Sequence, residues 1–245
     1  MTKYNSRTPL LAAALAGGMM LAAPAAVHAE DGWWIGGSLT ATSDYVFRGV
    51  SQTDEGPAVQ AGLDIGYGAG FYAGIWASNV DFDQPDGIDM ELDFFVGYVF
   101  GLTDDATLDL SVARYTYPGS NPGFDIDYNE FTAILGFAER YSATVAYAND
   151  YVNTGESAFF YQLAADAPLG ETGFNFRLAA GFNDISRAAG SDYWDYQLGI
   201  NRSWGNFSAD LSYFDTSGYD SDVEAFLGPG KWADGRVVLT LGVTF

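Results

Sequence analysis

Cysteine is absent from this 245-residue chain, and histidine occurs once, as His28. The first absence excludes a disulfide framework and a lipid anchor on an N-terminal Cys. Basic residues are scarce: 10 Lys and Arg stand against 32 Asp and Glu. Phosphate contacts need cations, so that balance excludes nucleic acid as a partner. Beyond residue 29 no apolar run is long enough for a membrane helix, and no Pro-rich or Ser-rich linker divides the chain. Disorder is excluded too, because 16% of the residues are aromatic.

The N-terminus has a different character. Lys3 and Arg7 precede an apolar run from Leu10 to Val27, broken by Pro24 and closed by Val27-His28-Ala29. This is the layout of a secretory signal peptide. We therefore expect a signal peptide at 1–29 and one domain at 30–245. Removing the signal takes away the only His. A Ser–His hydrolase then has no imidazole base, and a tetrahedral zinc site has neither His nor Cys. Paired carboxylates are abundant, but on so acidic a chain they read as solvated surface. No catalytic residue, metal or cofactor is expected.

What remains is dominated by alternation with period two. From Trp33 to Phe47, odd positions read Trp, Ile, Gly, Leu, Ala, Ser, Tyr, Phe, and even positions are mostly small or polar. Val59–Tyr67 repeats the pattern. Further segments follow at 71–80, 89–100, 107–117, 128–137, 141–149, 158–165, 174–182, 193–202, 207–214 and 236–245, making twelve. One apolar and one polar face per strand is what a transmembrane barrel requires. With no apolar helix available, a barrel is the remaining way to cross a bilayer. The predicted fold is all-β, a transmembrane antiparallel up-and-down β-barrel of about 12 strands.

Connection lengths give an independent check. Connections after even-numbered segments are short, as at 68–70, 138–140 and 203–206, and those after odd-numbered segments are long and polar. Short periplasmic turns and long outer loops are the habit of outer-membrane barrels, and an even count puts both termini in the periplasm. Tyr and Phe gather at segment ends, where an aromatic belt would lie. Val237, Leu239, Leu241, Val243 and the terminal Phe245 share one face. Such an ending resembles the signal read by the bacterial barrel-assembly machinery, so Phe245 is expected to act in assembly.

A family resemblance adds to this. Ser43-Asp44-Tyr45-Val46-Phe47-Arg48-Gly49-Val50-Ser51-Gln52-Thr53 is similar to the opening signature of the TorF family of candidate porins. Residues 71–82, FYAGIWASNVDF, and the acidic–aromatic alternation of 91–98 are similar to it as well. The resemblance spans the chain beyond residue 29 and implies a proteobacterial outer-membrane pore with no defined substrate.

Taking the polar parity of each strand as inward assigns a pore lining. It holds the carboxylates Asp44, Asp64, Glu91, Asp93, Asp109, Glu130, Asp195 and Asp210, the guanidinium groups Arg48, Arg177 and Arg236, and neutral groups such as Gln60. Charge around a pore decides which ions pass. The expectation is a narrow passive channel for small polar solutes or ions that prefers cations, lying in outer-membrane lipid. Twelve strands lie between a filled eight-strand barrel and a wide porin. Gly62, Gly66, Gly74, Gly97, Gly181 and Gly199 are expected to reduce inward bulk. Trp76 and Phe95 would constrict the pore if they point inward. The alternative is a closed barrel with an adhesion or envelope-structural role. Acidic groups at 81–89 and 215–234 match no organised calcium motif and read as solvated loops.

Overall fold

The computed structural model describes residues 32–83 and 87–245. The signal-peptide segment and Asp86 lie outside the described residues. Strands β1 (Trp33–Thr42), β4 (Ala58–Tyr67), β5 (Phe71–Asn79), β6 (Met90–Thr103), β7 (Ala106–Thr116) and β8 (Tyr128–Phe137) form one half of a sheet. The other half holds β9 (Tyr141–Ala148), β10 (Ala158–Pro168), β11 (Phe174–Asp184), β12 (Tyr193–Trp204), β13 (Phe207–Ser217) and β14 (Arg236–Thr244). Each strand pairs antiparallel with its neighbour, and β14 returns to β1, so twelve strands close into a barrel. Closure satisfies every strand edge, which is what lets backbone amides sit in hydrocarbon.

Alternation decides which side chains face which solvent. Leu39, Leu63, Phe94, Leu163, Leu198 and Leu239 project outward from the wall and are exposed. Their inward neighbours, such as Gln60, Asp64, Asp93 and Gln162, are buried. An exposed apolar band running right round a closed sheet suits a bilayer and not water. Trp33 packs on Tyr67 at one rim, with ring centroids 5.2 Å apart, and Phe182 on Trp194 toward the other, at 4.9 Å. Both rims thus carry aromatics at the level where a bilayer turns polar.

All twelve sequence segments correspond to barrel strands, with one difference at the start. The first was read to Phe47, but β1 ends at Thr42. There the Thr42 hydroxyl donates to the Asp44 carbonyl (2.8 Å), and the chain turns into the barrel. A two-stranded hairpin follows, β2 (Val46–Phe47) with β3 (Val50–Ser51). Its two-residue loop is Arg48-Gly49, both with positive φ (50° and 81°), the conformation that matches the twist of a tight hairpin. Several strands also run two or three residues past their sequence segments, β6, β10, β11, β12 and β13 among them. Extending β6 to Thr103 and β10 to Pro168 shortens the connections to β7 and β11.

Candidate functional site: the barrel interior

The hairpin crosses the interior. A Cβ added at Gly49 would lie 2.7 Å from Thr216 Cγ2 and 2.8 Å from Asp195 Cβ, so the tip abuts the wall of β12 and β13. One guanidinium nitrogen of Arg48 lies 2.8 Å from both carboxylate oxygens of Glu130 on β8. Its plane stacks over Phe160 of β10 at 4.3 Å. The Tyr193 hydroxyl donates to the Arg48 carbonyl (3.0 Å). At the hairpin base, Asp44 accepts from Ser51 (2.7 Å) and from Arg236 (2.9 Å). Arg236 also lies 3.4 Å from Glu55. Farther out, Asp54 accepts from Lys231 and from the Trp232 indole N–H (2.7 Å). Those bonds hold its carboxyl below the usual carboxylate value, with Lys231 the larger cause.

Aromatic side chains pack around this hairpin. Tyr45 meets Trp76 edge-on at 5.5 Å, and Tyr115 stacks on Tyr128 at 4.6 Å. Helix α1 (Ser186–Ala189) and helix α2 (Ser221–Leu227) lie in the long loops above, where Val223 is fully buried. Asp220 caps α2 by accepting from the amides of Asp222 and Val223. Trp76 and Phe95 do point inward and belong to this cluster. The long-loop half of the barrel is therefore filled by packed side chains.

The short-turn half is polar. A chain of contacts runs along the wall: Arg177 donates to Asp166 (2.9 Å) and Gln197 (3.0 Å), Gln197 to Ser212 (3.0 Å), and Ser212 to Asp210 (2.6 Å). The glycines here make room for large inward neighbours. A Cβ at Gly66 would strike the Trp34 ring at 2.2 Å, and one at Gly97 the Tyr72 hydroxyl at 2.3 Å. Space expected to widen the lumen is taken up by these rings.

Each named lining residue has a definite place. Gln60 and Asp64 on β4, Glu91 and Asp93 on β6, Asp109 on β7 and Glu130 on β8 lie on inward parity. So do Arg177, Asp195 and Asp210 on β11 to β13. Arg236 begins β14 at the long-loop rim. Asp44 and Arg48 are not on the wall: both belong to the in-folded segment, because β1 ends before them. Asp166 was missed by ending its strand one residue early, although the parity of Ala158, Phe160, Gln162 and Ala164 points to it.

The three arginines are all paired, with Glu130, Asp44 and Asp166. Asp64, Glu91, Asp93 and Asp109 form no ion pair among the described residues, while Arg177 acts on Asp210 and Arg48 on Asp195 through space. Tyr72 donates to Asp109 (2.8 Å) and Asn183 to Asp195 (2.9 Å). Glu91 and Asp93 are 2% and 0% exposed and lie against each other beside Tyr45 and Tyr117. Carboxyl groups outnumber guanidinium groups on the inward parity of the described strands.

Residues 26–245 match the model of a family described as a bacterial protein of unknown function, Gcw_chp. The chain belongs to that family. No functionally curated protein matches the Gcw_chp chain. Among solved structures it is similar to the KdgM porin, with a TM-score of 0.52 at 7% identity, covering 86% of this chain and 98% of that one. It is similar also to the KdgM porin in complex with disordered oligogalacturonate, with a TM-score of 0.51, the same identity and the same coverage. At that identity the likeness is one of fold. This Gcw_chp chain thus shares the closed twelve-strand barrel architecture with porins.

Proposed function

We propose that this protein is an outer-membrane channel for small polar solutes or ions, narrow and cation-preferring, whose long-loop end is closed by the in-folded hairpin. The observation that carries the reading is the excess of acids over bases on the inward parity, with Asp64, Glu91, Asp93 and Asp109 outside any ion pair among the described residues. A barrel serving only as a solid pillar gains nothing from buried unpaired acids, which are costly to desolvate. In a pathway for cations the same charge raises their local concentration. A polyanion such as oligogalacturonate, present in the complex of the KdgM porin, would be repelled by this lining. The porin fold and the TorF resemblance of the Ser43–Thr53 segment agree with a channel. The apolar outer band and a signal peptide at 1–29 agree with export to the outer membrane.

The packed aromatic cluster favours a second reading, a permanently closed barrel with an adhesion or envelope-structural role. Single-channel recording in a planar bilayer separates the two. Discrete conductance steps from the parent chain, or from a variant with the hairpin unlatched, are expected. Silence from both, with folded protein present, would overturn the channel.

A further inference from the structure

The channel reading makes no use of the lipid-facing wall, which holds a groove of about 510 Å³ near the short-turn rim. Phe174, Trp204, Ile200, Leu211 and Leu239 wall it. Its floor is Ala209, a small side chain directly opposite Arg202 in the β12–β13 register. Arg202 alternates with Ile200 and Trp204 on the exposed, outward parity of β12.

Arg202 shares with Arg140 and Arg187 the lack of an ion pair among the described residues, and of the three it is the one that lines this groove. Arg48, Arg114, Arg177, Lys231 and Arg236 each pair with a carboxylate. Arg202 has no acidic partner among the described residues, and its guanidinium lies over the Phe174 ring at 5.0 Å. It stands three positions before Gly205 of the β12–β13 turn, roughly 10 Å along a strand rising about 3.4 Å per residue. Strand tilt shortens this further along the membrane normal. A long basic side chain at that depth presents its charge to the headgroups.

An unpaired guanidinium beside an apolar trough, at headgroup depth, is complementary to an anion that carries a hydrocarbon tail. We propose that the groove binds one anionic phospholipid, with its phosphate on Arg202 and an acyl chain along Ile200, Leu211 and Leu239. The planar guanidinium suits a phosphate through two parallel N–H···O bonds. The proposal is independent of whether the barrel conducts.

Native mass spectrometry of the detergent-solubilised full chain tests it, with phosphatidylglycerol and diacylglycerol of the same acyl chains offered at equal concentration. One phosphatidylglycerol should be retained in at least tenfold excess over diacylglycerol. Arg202→Gln should remove that preference and Arg202→Lys should keep most of it. Ala209→Phe, which fills the floor and leaves the charge, should release the lipid. All three substitutions lie outside the barrel interior. Equal retention of the two lipids, retention unchanged in Arg202→Gln, or lipid A held in place of phosphatidylglycerol would overturn the assignment.

Discussion

Arg48 and Glu130 stand 82 positions apart in the chain and share one buried contact, a single guanidinium nitrogen 2.8 Å from both carboxylate oxygens. One partner belongs to the barrel wall and the other to the tip of a hairpin that leaves the wall at Thr42. The contact therefore fixes the hairpin across the interior. Breaking a buried pair strands a charge, which costs about 3–5 kcal/mol.

Arg48→Ala is accordingly expected to loosen the hairpin. The variant should melt earlier than the parent in detergent and show larger or more frequent conductance steps in a bilayer. Glu130→Gln, which keeps a hydrogen-bond acceptor for the guanidinium, should change both less. Unaltered conductance in Arg48→Ala would mean that the hairpin does not close the pathway.

Selectivity is expected to follow the unpaired acids. The reversal potential under a salt gradient should show cations passing in preference to anions. The double substitution Asp64→Asn with Asp109→Asn should weaken that preference, because it removes two carboxyl groups from the polar half of a poorly screened interior. An anion-selective parent would contradict the assigned lining.

The outer latch is expected to be insensitive to mild acid. Lys231 and Trp232 hold Asp54 below its ordinary 3.8, while Asp54 and nearby carboxylates raise Lys231 above its ordinary 10.5. The carboxylate's contribution is complete above the unfolded value and fades as pH falls through the lowered one. The ammonium's contribution is complete below its unfolded value and fades as pH rises through the raised one. Between about pH 4 and pH 10 this pair should hold unchanged. Thermal melts of the parent and Asp54→Asn at pH 5 and pH 8 should differ by the same amount. A difference that shrinks at pH 5 would contradict the pairing.

Topology is expected to put the long loops outside the cell. A tag at Gly218, in the connection between β13 and β14, should be accessible on intact cells. Labelling only after the outer membrane is breached would reverse the barrel.

The twelve strands were legible because a wall with lipid on one side and polar interior on the other imposes period two on each strand. The in-folded hairpin was not. Asp44, Val46 and Arg48 continue the even parity of Ser38, Thr40 and Thr42, so the alternation runs on through the point where the backbone turns inward. The break is carried by the left-handed pair Arg48-Gly49 and by contacts to Glu130 and Tyr193, which no local window contains. Of the lining, the wall positions could be read from parity, but the pairing of Arg48, Arg177 and Arg236 could not. Asp166 was lost because the segment was ended at Ala165, one residue short of it, whereas the strand runs to Pro168.

The seam between the two ends of the barrel has a consequence for biogenesis. Phe245 donates its amide to the Gly37 carbonyl (3.0 Å) and accepts from the Gly37 amide (2.9 Å), and β14 pairs with β1 along Ser38–Thr42. These are contacts of nearly maximal sequence separation, so they form only once the last residue has arrived. Until then the sheet is an open ribbon with two bare edges and an apolar face, a template for aggregation. Deleting Phe245 should therefore lower the amount of barrel in the membrane. The two bare edges therefore stay exposed until β14 meets β1, and closure is the step that removes them.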